Sequence, residues 1–367
     1  MNIVLLGRLH EGEISFGPQK VAQQLYTHLL KNNINVEFIE YYFKIYKDST
    51  LLKRFFGYEV FTDNVKRLGI IQLFIYLFRT NPDVIHIVTL ERYILSIFLY
   101  KFLLRSKIIV TYHSILKYEL STRKNKPTNF GKLKDYLLEY LTIKFSDRLI
   151  FLSTPHHNLA RKFYKFSEKK VNIVPNGVET LKKRRIKEFN FSRGLNIVFY
   201  YGGGEKDRGF EQLLFVLENV KVPVTLYVLG KIECYSFSSD FVKIDNLKLM
   251  PHDELYEFLT EIHLVIKSNV VDEFSLFVGE CMTMSLIPVI SDKIGISEYI
   301  VNEANGFVYN SENIEEVKTI LENIYNGQYD IQTIAHNAQN IVEQLDWNKV
   351  AQQYLEVYKS VIGCKTK

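Results

Sequence analysis

Cysteine is scarce in this chain of 367 residues. Cys234, Cys281 and Cys364 are the only three, and their separations match neither a metal site nor a redox pair. Long apolar runs are missing too: each hydrophobic stretch is too short, or too broken by charge, to span a bilayer. A secretory leader is not expected, because Met1-Asn2-Ile3-Val4 opens directly on a strand pattern. These absences point to a globular chain in a reducing cytoplasm. Its 47% apolar and 24% charged residues agree with that class, and its length suggests two domains.

The net charge of +5 conceals an uneven distribution. Residues 1–187 hold 32 Lys and Arg against 15 Asp and Glu, a net +17, while residues 188–367 hold 14 against 26, a net −12. Either the first half meets something anionic, or its lysines are simply solvated.

The densest chemical pattern lies at 269–291, NVVDEFSLFVGECMTMSLIPVIS. An apolar strand at 263–268 leads into a loop carrying Asp272 and Glu273. A segment of helical length, 274–284, comes next, and then a second strand-like run, IPVIS. Glu280 is the one acid inside that apolar segment, and a lone buried carboxylate is costly unless something hydrogen-bonds it. Asp272 stands eight positions earlier, ahead of the helix start. The free amides of Phe274, Ser275 and Leu276 would open that helix, and open helix starts attract anions. Two readings fit. One is a capping acid plus a glutamate on a solvated face. The other is a nucleotide-sugar pocket, with Asp272 accepting from sugar hydroxyls, Glu280 from a ribose diol, and the amides facing sugar and phosphate.

Strand and helix alternate along the whole chain. In the first half, strands are expected at 2–7, 34–40, 83–88, 107–112, 148–153 and 171–174. Gly17-Pro18 opens an amphipathic helix with Val21, Leu25, Leu29 and Leu30 on one face, and Gly17 would let backbone come close to a phosphate. Segments 51–61 and 65–80 mix aromatics, leucines and basic residues. They read either as amphipathic pieces on a membrane surface or as helices packed on a sheet. An apolar helix is expected over 93–104. His113 stands just past a strand's carboxyl end, where open α/β sheets place ligands, so it is a ligand contact or a satisfied structural histidine. Residues 117–132 read as a mobile basic loop, and Pro175-Asn176-Gly177 as a turn. Residues 179–193 read as a linker whose basic run lacks a nucleic-acid-binding motif, so no nucleic-acid partner is expected. The second half restarts with strands at 195–201, 224–229, 247–250 and 263–268, and with a glycine-rich turn, GGGEKDRG, at 202–209. Helices near 313–325, 331–344 and 347–361 follow. The pattern predicts an α/β chain with doubly wound parallel sheets formed twice over.

In their order and spacing these pieces resemble glycosyltransferase family 4. Asp272 to Glu280 keeps that family's spacing of two acids around seven residues, with Pro288-Val289 beyond. Phe16-Gly17 looks like the family's first glycine loop, and His113 like its strand-end histidine. Pro175-Asn176-Gly177-Val178 is its turn, Asn305-Gly306-Phe307-Val308 matches its late apolar run, and Trp347 leads its final helix. The resemblance implies a GT-B fold of two facing Rossmann-like domains. Residues 1–185 would form the acceptor side and 186–345 the nucleotide-sugar side, with 346–367 returning to the first domain. Three departures stand out. Asp272 is one methylene shorter than the family's glutamate, and the first loop has one glycine where two are common. The family's arginine and lysine that hold the donor diphosphate fall on Gly203 and Arg208.

The implied reaction moves a sugar from a nucleotide diphosphate to a hydroxyl with retention, and without a metal or other cofactor. The sequence holds no Asp-x-Asp pair. Arg208 would grip the diphosphate bidentately, with Lys206 either the second charge or a solvated loop residue. Asp272 would orient the sugar, Glu280 hold the ribose, and His113 contact the sugar or align the acceptor. The expected partners are a nucleotide-sugar donor, UDP slightly preferred, and a glycan or lipid-linked acceptor. An anionic membrane surface under the first domain is a further hypothesis, putting the chain at the inner face of the membrane. Bacterial surface-glycan or glycolipid assembly is the expected setting. With Gly203 in the arginine's place, a non-catalytic binding subunit is the competing class, and a sugar-nucleotide epimerase of related fold is a third.

Overall fold

The computed structural model describes residues 1–8, 17–42, 50–90, 97, 101–103, 106–122, 128–179, 187–202, 209–232, 235–268 and 270–363. Among them the chain forms two open sheets. The first contains β1 (Asn2–Gly7), β2 (Asn35–Tyr41), β3 (Tyr58–Thr62), β4 (Val65–Leu68), β5 (Val84–Ile87), β6 (Lys107–Thr111), β7 (Arg148–Phe151) and β8 (Val171–Ile173). Its order is β3-β4-β2-β1-β5-β6-β7-β8, and only β3 runs antiparallel to its neighbour. The second holds β9 (Leu195–Gly202), β10 (Val224–Gly230), β11 (Val242–Leu247), β12 (Leu264–Lys267), β13 (Ile287–Ser291) and β14 (Phe307–Tyr309), all parallel, in the order β11-β10-β9-β12-β13-β14.

Parallel strands are covered on both faces, so they read as unbroken apolar runs rather than as alternation. In β1, Ile3 to Leu6 are all buried, and every residue of β12 and β13 is. Each sheet therefore carries two apolar clusters, one per face. One cover of the first sheet comes from far along the chain. Helix Trp347–Gly363 lays Trp347, Val350, Ala351, Tyr354 and Tyr358 against Ile3, Leu5, Val21 and Leu25. Gly177 makes room for it, since a Cβ there would lie 2.2 Å from the Trp347 ring. A buried polar chain fastens the same helix. His86 Nδ1 lies 2.7 Å from the Tyr358 hydroxyl, and its Nε2 lies 2.9 Å from Thr111 Oγ1.

Several elements differ from the sequence expectation. Segments 51–61 and 65–80 are not two continuous helices. They form helix Leu51–Phe56, the β3–β4 hairpin and helix Ile70–Thr80. An interior ion pair disguises β4: Arg67 is buried, and its guanidinium meets the fully buried Glu40 at 2.8 Å and Glu59 at 3.4 Å. The expected basic loop begins as helix Leu116–Thr122 and passes into helix Asn129–Phe145, while 123–127 lie outside the described residues. The strand expected at 247–250 is instead Val242–Leu247. It is an edge strand with polar positions, and its Asn246 side chain donates to the carbonyls of Val228 and Gly230. Most of the helix expected at 93–104 lies outside the described residues.

Candidate functional site

The second sheet reverses its strand order between β9 and β12. Such a switch point leaves a crevice at the carboxyl ends of the strands, where ligands bind open α/β sheets. Two loops meet there. The glycine-rich turn after β9 re-enters the described chain at Gly209, which has φ +69°. A Cβ on Gly209 would lie 1.9 Å from the Ser268 carbonyl oxygen, so only glycine fits. Ser268 Oγ in turn donates to the Gly209 carbonyl at 2.9 Å. Gly209 is thus pinned against Ser268 at the end of β12, where the second loop begins.

That second loop carries Asp272. Its Oδ2 lies 3.1 Å from Lys267 Nζ, and its Oδ1 accepts the Phe274 amide at 3.2 Å. Lys267 is 2% exposed, and its ammonium also faces the Tyr200 ring, 5.9 Å from the centroid. The loop is tied down further by the Gly295 amide, which donates to the Asp272 carbonyl at 2.9 Å. Helix Leu276–Thr283 then starts two residues later than expected, because Ser275 sits in the left-handed region at φ +71°. Of the three amides expected to stand free at its start, that of Phe274 is already taken by Asp272. An aspartate two residues before an amide is well placed to accept from it.

The first half closes on this loop. Gly17 opens helix Gly17–Lys31, and the space beside it faces the Leu276 side chain at 3.7 Å. One helical turn on, Lys20 hydrogen-bonds Glu280 Oε1. Glu280 is therefore not on a solvated face; it is 13% exposed and engaged from the opposite half. Ser153 Oγ donates to the Glu273 carbonyl at 2.8 Å, and the Thr154 amide to Glu298 Oε2 at 3.0 Å.

The first sheet changes direction between β1 and β5, and a cavity of about 230 Å³ opens at that point. Its walls include Arg8, Gln19, Thr89, Tyr112, His113 and Leu116. Thr89 Oγ1, the Tyr112 hydroxyl and His113 Nε2 are buried there without a hydrogen-bond partner among the described residues. Desolvation lowers the His113 pKa to about 4, against a smaller upward pull from its hydrogen bond to the Val88 backbone. The imidazole is neutral at pH 7, with one nitrogen lone pair left to accept. Burial also pushes the Tyr112 hydroxyl well up, so it remains a donor. The residues that carry these three unpartnered atoms line the wall of the pocket, a lining that suits a ligand rich in hydroxyls.

Of the residues singled out in the sequence, Gly17, Leu276 and Glu280 come together across the two halves, with Asp272, Phe274 and Ser275 on the adjoining loop. His113 lines the cavity in the first half. Lys206, Arg208 and Gly203 lie outside the described residues. Sequence reasoning missed Lys20, Lys267, Thr89 and Tyr112. A lysine closing the apolar run of β12 was the one visible signal; Lys20 showed none, because its partner is 260 positions away.

Comparison with known proteins agrees with this architecture. The family model of Glycosyltransferase Family 4 matches residues 17–181, and that of Glycosyl transferases group 1 matches residues 182–341. The uncharacterized glycosyltransferase YqgM of Bacillus subtilis is 21% identical over 240 residues. That match covers 62% of this chain and 65% of YqgM, just under two thirds of its length. Sucrose-phosphate synthase from Thermosynechococcus elongatus superposes with a TM-score of 0.73 at 14% identity, covering all of both chains. HepE from Anabaena, solved with UDP-glucose, superposes with a TM-score of 0.67 at 17% identity, covering 98% of this chain and all of HepE. At such identities the likeness establishes the fold, which is GT-B.

Proposed function

The chain belongs to glycosyltransferase family 4, and from that premise we propose that it transfers a sugar from a nucleotide diphosphate to a hydroxyl acceptor with retention of configuration. One observation carries the reading. The acid-bearing loop at the second sheet's switch point and the hydroxyl-lined cavity at the first sheet's switch point belong to halves held together by Lys20 and Glu280. Donor and acceptor sites on opposite walls of one cleft are what a group transfer requires.

The donor sugar lies over the Asp272 loop, and the ribose takes Glu280 once Lys20 releases it. Negative charge grows on the leaving diphosphate as the glycosidic bond breaks. Arg208, Lys206 and the amides of Ser275 and Leu276 stabilise that charge. The leaving phosphate accepts the acceptor's proton, so the reaction needs neither a protein nucleophile nor a metal. His113, neutral, accepts a hydrogen bond from a sugar hydroxyl in the cavity. The HepE complex makes UDP-glucose the first donor to try. The acceptor is a glycan or a lipid-linked sugar of surface-glycan assembly. The basic first half faces an anionic membrane through helix Leu51–Phe56 and β3, where Leu51, Leu52, Phe55, Phe56, Tyr58 and Phe61 stand exposed. Among the described residues, no helix is long and apolar enough to cross a membrane.

The test is a thermal-shift screen against nucleotide sugars, followed by donor-dependent transfer or donor hydrolysis. Asp272→Ala and Glu280→Ala should each abolish turnover while the protein stays folded. Binding of a donor without turnover by the unaltered chain would make it a binding subunit instead.

A further inference from the structure

Three of the four residues of β12, Leu264, Val265 and Ile266, are wholly buried aliphatics, and the fourth is a lysine. A buried ammonium is costly unless a counter-charge and hydrogen-bond acceptors surround it. Lys267 has both in one direction: Asp272 at 3.1 Å, with the face of Tyr200 beside it. The arrangement bears on Asp272 as much as on Lys267. One carboxylate oxygen is bound by the ammonium and the other by the Phe274 amide, so the plane of the carboxylate is set by two donors, one at the end of β12 and one on the loop beyond it. Each oxygen keeps a second lone pair. Asp272 is 17% exposed, enough for those lone pairs to be reached from the crevice.

We propose that Lys267 is a positioning residue of the donor-sugar site, turning the Asp272 carboxylate so that its remaining lone pairs meet the sugar's hydroxyls. The inference rests on the reading of the Asp272 loop as the donor site. Aspartate is a short side chain with few rotamers, and alone it would swing toward water. Held between Lys267 and the Phe274 amide, it becomes a rigid pair of acceptors, and a rigid pair discriminates between sugars by the direction of adjacent hydroxyls. Lys267 does not itself touch the sugar, and it acts only through Asp272.

The experiment uses the full chain, with UDP binding measured by calorimetry. Hydrolysis or transfer is measured with UDP-glucose, UDP-galactose and UDP-N-acetylglucosamine. Lys267→Met should bind UDP within about twofold of the unaltered chain, yet lose about 10²-fold in kcat/KM for the best donor, the scale expected of a misplaced contact. Lys267→Arg should recover most of that loss. The Lys267→Met, Asp272→Asn double variant buries no charge at this pair and folds even if Lys267→Met does not. It should be no worse than Asp272→Asn alone, because residues acting as one unit are not additive. A folded Lys267→Met with unaltered kcat/KM overturns the proposal, as do losses that multiply in the double variant. UDP affinity falling in step with kcat/KM also overturns it, since that would put the ammonium on the diphosphate. If the unaltered chain prefers another nucleotide sugar in the thermal-shift screen, the same variants are read with that donor; if it binds none of them, the donor-site reading itself is wrong and the inference falls with it.

Discussion

In the first half the imidazole of His113 stands close enough to those of His86 and His156 to repel either when charged. Burial first, and the nearby His113 to a smaller extent, together lower His86 and His156 to about 3. In the unfolded chain a histidine gains its proton near pH 6.5, whereas these two, once folded, hold out until about pH 3. Between those limits protons favour the unfolded state. Stability is therefore fully present above pH 6.5 and is lost as the pH falls, by up to about 1.4 kcal/mol per pH unit for each histidine. Urea midpoints measured from pH 7.5 to 4.5 should drop steadily below pH 6, and a flat profile would refute this. The histidines also mark what a sequence conveys at this scale. His113 was legible because it follows a strand. His86 sits inside one, and nothing local told that its two nitrogens bond Thr111 and Tyr358, the latter 272 positions away. Asp272 and Glu280 were legible as acids with a spacing, but their partners Lys267 and Lys20 were not, because ion pairs form in space and leave no period in the chain.

Elements with a buried apolar period were the legible ones, as in β1, β12 and helix Gly17–Lys31. Those built on polar interiors or edges were not. β4 hides behind the Arg67–Glu40 pair, and β11 behind its edge polarity. The start of helix Leu276–Thr283 was misplaced because the left-handed Ser275 carries no signal in a serine. Helix Leu51–Phe56 buries none of its residues, and the adjoining β3 is nearly all exposed. Such a surface gains little from the fold and suits an amphipathic contact with lipid. Replacing Phe55 and Phe56 with serine should change stability by no more than about 0.5 kcal/mol per site, the range for surface substitutions. Cosedimentation with phosphatidylglycerol vesicles at low salt should be lost in the same variant. If the unaltered chain ignores such vesicles, the membrane contact is wrong.

Strand and helix alternating in both halves was enough to expect two sheets, because an alternating chain has few other ways to cover both faces of parallel strands. The order of strands within each sheet was not readable, since every buried strand looks alike in sequence. The return of helix Trp347–Gly363 to the first half was implied by resemblance alone; no local feature tells which sheet its apolar face will meet. Trp347 is 2% exposed in that interface, so Trp347→Ala should cost about 3–5 kcal/mol, read as a lower urea midpoint. That helix also sets an order of events during synthesis. Residues 1–174 leave the ribosome long before the segment that seals one side of their sheet, and the whole second sheet is made in between. The early half must wait with Ile3, Leu5 and Val21 uncovered, so a translation pause anywhere between the two halves should send it to chaperones rather than to a finished fold.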